Sequence, residues 1–178
     1  QSKKVIFAGR FTDQKDIESL VEIWKIVHQY HPDWELHAYG EGEYWDYYDN
    51  LVKKLDINLL VHNPTSQIFE KYVESSLLIM TSLYEPFGLV LPEAMSCGLP
   101  VVAFDCPYGP ADIITDNVNG FLIEDRSKED FAAKICQLME DYILRKKLGG
   151  EAHNSSRRYS AEHIMLSWKD LFEGIVRS

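Results

Sequence analysis

Two carboxylates, Glu85 and Glu93, stand with seven residues between them in SLYEPFGLVLPEAMSCGLPVV (residues 82–102), around a Pro86-Phe87-Gly88 turn and ahead of an apolar run. An ionised carboxylate only accepts hydrogen bonds, and it can take two from adjacent hydroxyls. Two acids, one in a loop and one about a turn into a helix, therefore suit two separate diols, as in the ribose and the sugar of a sugar nucleotide. The same acids also read as complements to a helix dipole, worth about 0.3–1 kcal/mol each, and spacing alone does not choose between these roles. Gly88 lets the backbone pass close to a ligand, and the N–H groups of Phe87, Gly88 and Leu89 read as helix-start donors for an anionic or hydroxylated group. Pro92 fits the first turn of the helix that follows.

The chain carries a formal charge of −10, from 28 acids against 18 basic residues. That sign repels a phosphate backbone at long range and argues against nucleic acid as a partner. A small anion can still be held where a few cations converge. Gly9-Arg10 and Lys15, just after the apolar run VIFA (5–8), are the cations at a strand end. Lys15 by itself reads as a solvated surface residue, and its pairing with Arg10 is what draws attention to it. The six histidines show no metal-ligand spacing, so no metal is expected. Neither a nucleophile elbow nor a GxGxxG or GxxxxGK[ST] pattern is apparent, which disfavours dehydrogenases and P-loop enzymes. Cys97, Cys106 and Cys136 form no pairing pattern and read as reduced thiols. With no apolar run near a membrane span in length and no leader, a cytoplasmic location is expected.

These side chains need a frame to position them. VIFA (5–8), ELHAY (35–39), NLLV (58–61), LLIMT (77–81), VVAF (101–104) and FLI (121–123) read as strands. Helical segments are expected after position 17 and at roughly 43–55, 66–74, 88–97, 111–115, 127–147 and 160–176, with EAHNSSRRYS (151–160) as a loop or crossing. This alternation implies an α/β fold: one domain over residues 1–178, a doubly wound, Rossmann-like parallel sheet of about six strands with helices on both faces. In such a sheet, ligands bind beyond the carboxyl ends of the strands, which puts residues 82–88 in the crevice. Gly40-Glu41-Gly42 reads as an ordinary tight turn. Tyr44, Trp45, Tyr47 and Tyr48 read as partial core packing, with an interlobe surface as the alternative.

The stretch that holds Glu85, Pro86-Phe87-Gly88, Pro92-Glu93-Ala94-Met95 and Gly98-Leu99-Pro100-Val101-Val102 resembles the C-terminal signature of family 4 retaining glycosyltransferases. The likeness continues through Gly109-Pro110, Ile113, Asn119-Gly120 and the terminal Trp-containing helix. It implies that the chain is the C-terminal, donor-binding lobe of a two-lobe enzyme, with an N-terminal acceptor lobe outside this sequence. Glu85, with Phe87, Gly88 and Leu89, would meet the donor sugar, and Glu93 would hold the donor ribose. Gly9, Arg10 and Lys15 would bind the diphosphate, and the segment His62-Asn63-Pro64-Thr65 would meet the nucleobase.

The substrate implied is a nucleoside-diphosphate sugar, UDP-sugar favoured over GDP- or ADP-sugar, with no cofactor. Two details depart from the family pattern. Asn63 stands where a Gly is usual and could supply its left-handed conformation, and Lys15-Asp16 replaces Lys-Gly. Two rivals stay open, a sugar-nucleotide epimerase lobe and a non-catalytic nucleotide-sugar binding module. Peripheral association of the longer protein with a membrane also stays open.

Overall fold

The computed structural model describes residues 2–177. Six strands form one sheet: β1 (Lys4–Ala8), β2 (Glu35–Tyr39), β3 (Leu59–His62), β4 (Leu77–Met80), β5 (Val101–Phe104) and β6 (Gly120–Ile123). Their order is β3-β2-β1-β4-β5-β6, and every pairing is parallel. This is the doubly wound α/β arrangement expected from the alternation of strands and helices. Val5 lies opposite Leu36 on one side and Leu77 on the other, so the chain reverses its winding direction between β1 and β4.

Between the strands run α1 (Ile17–Tyr30), α2 (Trp45–Val52), α3 (Ile68–Val73), α4 (Val90–Ser96) and α5 (Pro110–Ile113). After the last strand come α6 (Lys128–Glu140), α7 (Tyr142–Ser156) and α8 (Ala161–Arg177). The sheet is covered on both faces, which is why β1, β4 and β5 read as nearly unbroken apolar runs rather than alternating ones. Val5, Phe7, Leu77 and Ile79 pack with Leu20, Trp24 and Val27 of α1 and Phe131, Ile135 and Leu138 of α6. Ile6, Leu78 and Met80 face the other way, onto Tyr72 of α3, Leu91 and Met95 of α4 and Ala152 of α7.

One expectation needs correction. The single helix anticipated over 127–147 is two, and much of the segment 151–160 is helical rather than a loop. The break falls at Asp141, whose backbone turns to φ −98°, ψ 91° and whose carboxylate accepts from Leu144 N at 2.8 Å. Asp141 thus starts α7 as an N-cap, in a stretch with neither proline nor glycine to mark the change. The second helix is then free to dock on α4. Gly149 comes so close to the loop after α4 that a Cβ there would sit 2.3 Å from Gly98 O.

Tyr44, Trp45 and Tyr48 pack partly against the core, as expected, whereas Tyr47 is exposed. Helix α8 leaves the sheet layers. Its residues Ile164, Trp168, Leu171, Phe172 and Ile175 are all exposed, and the rings of Trp168 and Phe172 stack at 5.6 Å.

Two neighbouring glycines give opposite expectations. Gly149→Ala should lower stability by about 1–3 kcal/mol, because the added methyl overlaps a backbone oxygen. Gly150→Ala, with nothing within 4 Å of its would-be Cβ, should raise it by about 0.5–1 kcal/mol. Urea denaturation of the two variants checks the sign of each.

Candidate active site

The crevice where the winding reverses is walled by the loop leaving β1 and the loop leaving β4. The β1 loop is laced to the loop after β2. Gly9 N donates to Tyr39 O at 3.0 Å, Phe11 N to Glu41 O at 2.8 Å and Tyr44 N to Phe11 O at 3.1 Å. A Cβ on Gly40 would lie 1.8 Å from Gly9 O, so only glycine permits this approach. Gly40-Glu41-Gly42 is therefore a close-approach device rather than the ordinary turn anticipated.

A single 3-10 turn, Asp13–Lys15, then carries Lys15 inward. Read alone, Lys15 was expected in solvent; it is buried instead, and its Nζ pairs with Glu85 Oε1, also buried. Ser82 Oγ donates to the same carboxylate oxygen at 2.6 Å, and Thr81 Oγ1 donates to Lys15 O at 2.8 Å. Glu85 is held from behind as well, by its N–H to Pro107 O at 3.2 Å. Arg10 is exposed, with Nη2 donating to Gln14 Oε1 at 3.2 Å. Gln14 in turn donates to Tyr84 O at 3.0 Å, so Arg10 is tethered to the loop that bears Glu85.

Glu93 is half-buried on α4, and Tyr72 donates its phenol to Glu93 Oε2 at 3.2 Å. Burial first, then the Glu93 charge, push the Tyr72 phenol upward, so it stays a proton donor to the carboxylate. Phe87 and Leu89 are exposed and line a cavity of about 430 Å³ with Phe69, Pro92, Glu93 and Ile164. Gly88 has φ 87°, a conformation that favours glycine. Among the described residues, the N–H groups of Phe87, Gly88 and Leu89 donate to no protein acceptor. Cys106 lies near this crevice, but burial, with the Glu85 charge second, pushes its thiol up to about 11, so it is no nucleophile at neutral pH.

The segment after β3 stands apart. The His62 ring lies 4.6 Å from that of Tyr39 and 5.1 Å from that of His37, and its Nε2 shares a hydrogen bond with His37 Nδ1 at 3.0 Å. Burial, with His37 second, pulls the His62 imidazole down. Thr65 Oγ1 accepts from Gln67 N at 3.1 Å, and Asn63 and Pro64 face solvent. Asn63 does not adopt a left-handed conformation, contrary to the expectation that it substitutes for a glycine there. Among the described residues, no hydrogen bond joins residues 62–65 to Glu85 or Glu93.

The sequence reading did not pick out Ser82, Tyr72 or Arg126. Tyr72 lies in a short amphipathic helix where it reads as core. Arg126, at the exit of β6, contacts the β1 and β4 loops, a pairing that only the folded sheet creates. The described residues contain no group of three or more His, Cys, Asp or Glu arranged to hold a metal.

With this geometry in hand, comparison with known proteins is specific. Residues 1–155 match the family described as Glycosyl transferases group 1. The chain is 36% identical over 173 residues to the amylovoran biosynthesis glycosyltransferase AmsD of Erwinia amylovora, covering 96% of this chain and 48% of that protein. A solved structure of a mutant of S. aureus TarM in complex with Fondaparinux, alpha-GlcNAc-glycerol and UDP superposes with a TM-score of 0.89 at 35% identity, over 96% of this chain and 35% of that one. The C-terminal domain of a glycosyl transferase group 1 family protein (LpcC) from Francisella tularensis matches with a TM-score of 0.77 at 26% identity, covering 89% of this chain and 86% of that one. The chain thus spans about half the length of AmsD or less of its longer relatives, and nearly all of a domain crystallised alone.

Breaking the buried pair from one side should be costly. Lys15→Met leaves Glu85 an uncompensated buried charge, and a loss of about 3–5 kcal/mol in unfolding free energy is expected. Lys15→Met combined with Glu85→Leu should recover most of that loss, and denaturant melts of the single and double variants measure the difference.

Proposed function

The chain belongs to the group 1 glycosyl transferases, and on that premise we propose that it is the donor-binding lobe of a retaining, family 4 enzyme. In this reading a second, N-terminal lobe outside the present sequence holds the acceptor. The observation that carries the proposal is the buried Lys15–Glu85 pair between the β1 and β4 loops, with Arg10 tethered to the β4 loop through Gln14 and with Glu93 on the helix that this loop leads into.

Each residue then has a role set by its surroundings. Glu93, oriented by the Tyr72 phenol, accepts from the ribose diol of the donor. Arg10, exposed at the rim, meets the diphosphate. Lys15 is the nearer cation, and in the free lobe its charge is balanced by Glu85. Negative charge grows on the leaving phosphate as its bond to the anomeric carbon breaks. Cations already in place stabilise that charge more than they stabilise the ground state. Glu85 meets hydroxyls of the sugar, beside the open N–H groups of Phe87, Gly88 and Leu89. His62, Asn63, Pro64 and Thr65 border the nucleobase, with Asn63 and Pro64 the outward-facing pair.

The donor is a nucleoside-diphosphate sugar, and the UDP in the TarM complex supports uracil as its base. The name of AmsD supports an acceptor in polysaccharide synthesis. The reading requires neither metal nor cofactor. Transfer needs the acceptor hydroxyl held about 3–3.5 Å from the anomeric carbon in a site shielded from water. One lobe leaves that carbon open, so the isolated chain is expected to bind donor without transferring sugar. The apolar stripe of α8, around Trp168, Leu171 and Phe172, is the surface proposed to meet the other lobe. Free cysteines at positions 97, 106 and 136 suit a cytoplasmic setting.

Calorimetry with UDP, GDP and ADP on wild type and Glu93→Ala tests this reading. One nucleotide should bind selectively, and Glu93→Ala should weaken it by about 1.5–3 kcal/mol, the range for hydrogen bonds to a charged group. Binding of none of the three, or no change in the variant, would overturn it.

A further inference from the structure

Arg126 stands outside the set of residues that touch the proposed donor. We infer that it is a positioning residue for the diphosphate site, acting through Asp16 and Ser82 to fix Lys15 and Glu85; the inference rests on the donor-lobe reading.

The guanidinium joins three loops that are far apart in sequence. Nη2 donates to Asp16 Oδ2 at 2.5 Å and to Thr81 O at 2.8 Å, while Nη1 donates to Ser82 O at 2.9 Å. The Phe104 ring lies 4.3 Å from its central carbon. Three of its five N–H donors are turned to these protein acceptors, and the role inferred for Arg126 runs through the groups that it holds.

The residues it grips are the ones that place the buried pair. Asp16 directly follows Lys15. Thr81 gives its hydroxyl to Lys15 O at 2.8 Å and its carbonyl to Arg126. Ser82 gives its hydroxyl to Glu85 at 2.6 Å and its carbonyl to Arg126. One side chain therefore restrains both members of the Lys15–Glu85 pair, each through one intermediate.

The backbone is shaped to aim it. Asp125 and Arg126 have φ 53° and 50°, two successive left-handed residues, neither of them glycine. Such a conformation is unfavourable for a residue with a Cβ, and it persists only where the surroundings impose it. Asp16 is left-handed as well, at φ 48°, and its other oxygen accepts from Ser19 N at 3.1 Å to cap α1. A glycine at position 16 would supply the left-handed conformation alone. Asp16 supplies it together with a carboxylate that faces Arg126, so the aspartate at position 16 and the arginine at position 126 form one device.

A purely structural tie predicts lower stability with unchanged discrimination among ligands. A positioning role predicts a loss confined to phosphate recognition. The test titrates the 178-residue chain with UDP and with uridine, for wild type, Arg126→Gln, Asp16→Asn, Asp16→Gly and the Arg126→Gln/Asp16→Asn double variant. Each single variant should weaken UDP about tenfold and leave uridine within about twofold. The double variant should be no worse than the weaker single, because both remove the same tie. Asp16→Gly, which relieves the backbone strain, should still lose UDP affinity. Near-isosteric Asp16→Asn keeps an oxygen to cap α1 and carries the test if Arg126→Gln does not fold. Unchanged UDP affinity in the folded variants, or equal losses for UDP and uridine, would overturn the positioning role. A wild-type chain that binds uridine but not UDP, or neither, would overturn the donor-lobe reading and the inference with it.

Discussion

A lysine and a glutamate buried against each other at the β1/β4 crevice set the terms for the rest of this molecule. Taking two charges out of water costs several kcal/mol for each ion, and mutual attraction repays that only when geometry is tight and the remaining hydrogen-bonding capacity is met. At Lys15 and Glu85 the Ser82 hydroxyl adds a hydrogen bond to the carboxylate, while the Thr81 hydroxyl on the Lys15 carbonyl and Pro107 O on the Glu85 amide fix the backbone that carries each charge. Loops that held these groups loosely would leave a buried charge unpaired. The pair therefore constrains the loops as much as the loops constrain the pair.

Bringing the loops close enough depends on residues without side chains. Gly40 abuts the carbonyl of Gly9, and a Cβ on Gly109 would fall 2.3 Å from Phe87 O. The first contact fixes the loop that delivers Lys15, and the second fixes the loop that follows Glu85. The sheet beneath supplies the rigid floor, since β1, β4 and β5 are buried on both faces. Precision at the crevice thus comes from a stiff parallel sheet, glycine contacts and a web of short polar bonds. A site of this kind can place charges before a ligand arrives, and that preorganisation is what the proposed stabilisation of a leaving diphosphate requires.

Much of this was legible in the sequence, for identifiable reasons. β1, β4 and β5 are buried on both faces and leave continuous apolar runs, β2 buries only Leu36 and Ala38, and all six were visible as short strand-like stretches bounded by turns; the doubly wound arrangement followed from their alternation with helices. Glu85 and Glu93 drew attention by type and spacing and Arg10 by its place at a strand end, whereas Lys15 read alone as a solvated residue and stood out only beside Arg10; their ligand roles came from the family resemblance. The direct contact between Lys15 and Glu85 was not, because it joins positions 70 residues apart. Arg126 was missed for the same reason, its partner Asp16 being 110 residues away. The break at Asp141 escaped notice because one aspartate ends one helix and begins the next with no glycine or proline beside it. Asn63 was misjudged because residue type only permits a left-handed turn, and the backbone there takes another course.

The central claim is that the crevice between the β1 and β4 loops holds a nucleoside diphosphate. A crystal structure of the chain grown with UDP tests it most directly. The account predicts the ribose diol on the Glu93 carboxylate, the diphosphate against Arg10 and Lys15, and the β-phosphate end directed toward Glu85. A nucleotide bound away from these residues, for example in the groove between α1 and α6 beside Tyr30 and Cys136, would contradict it.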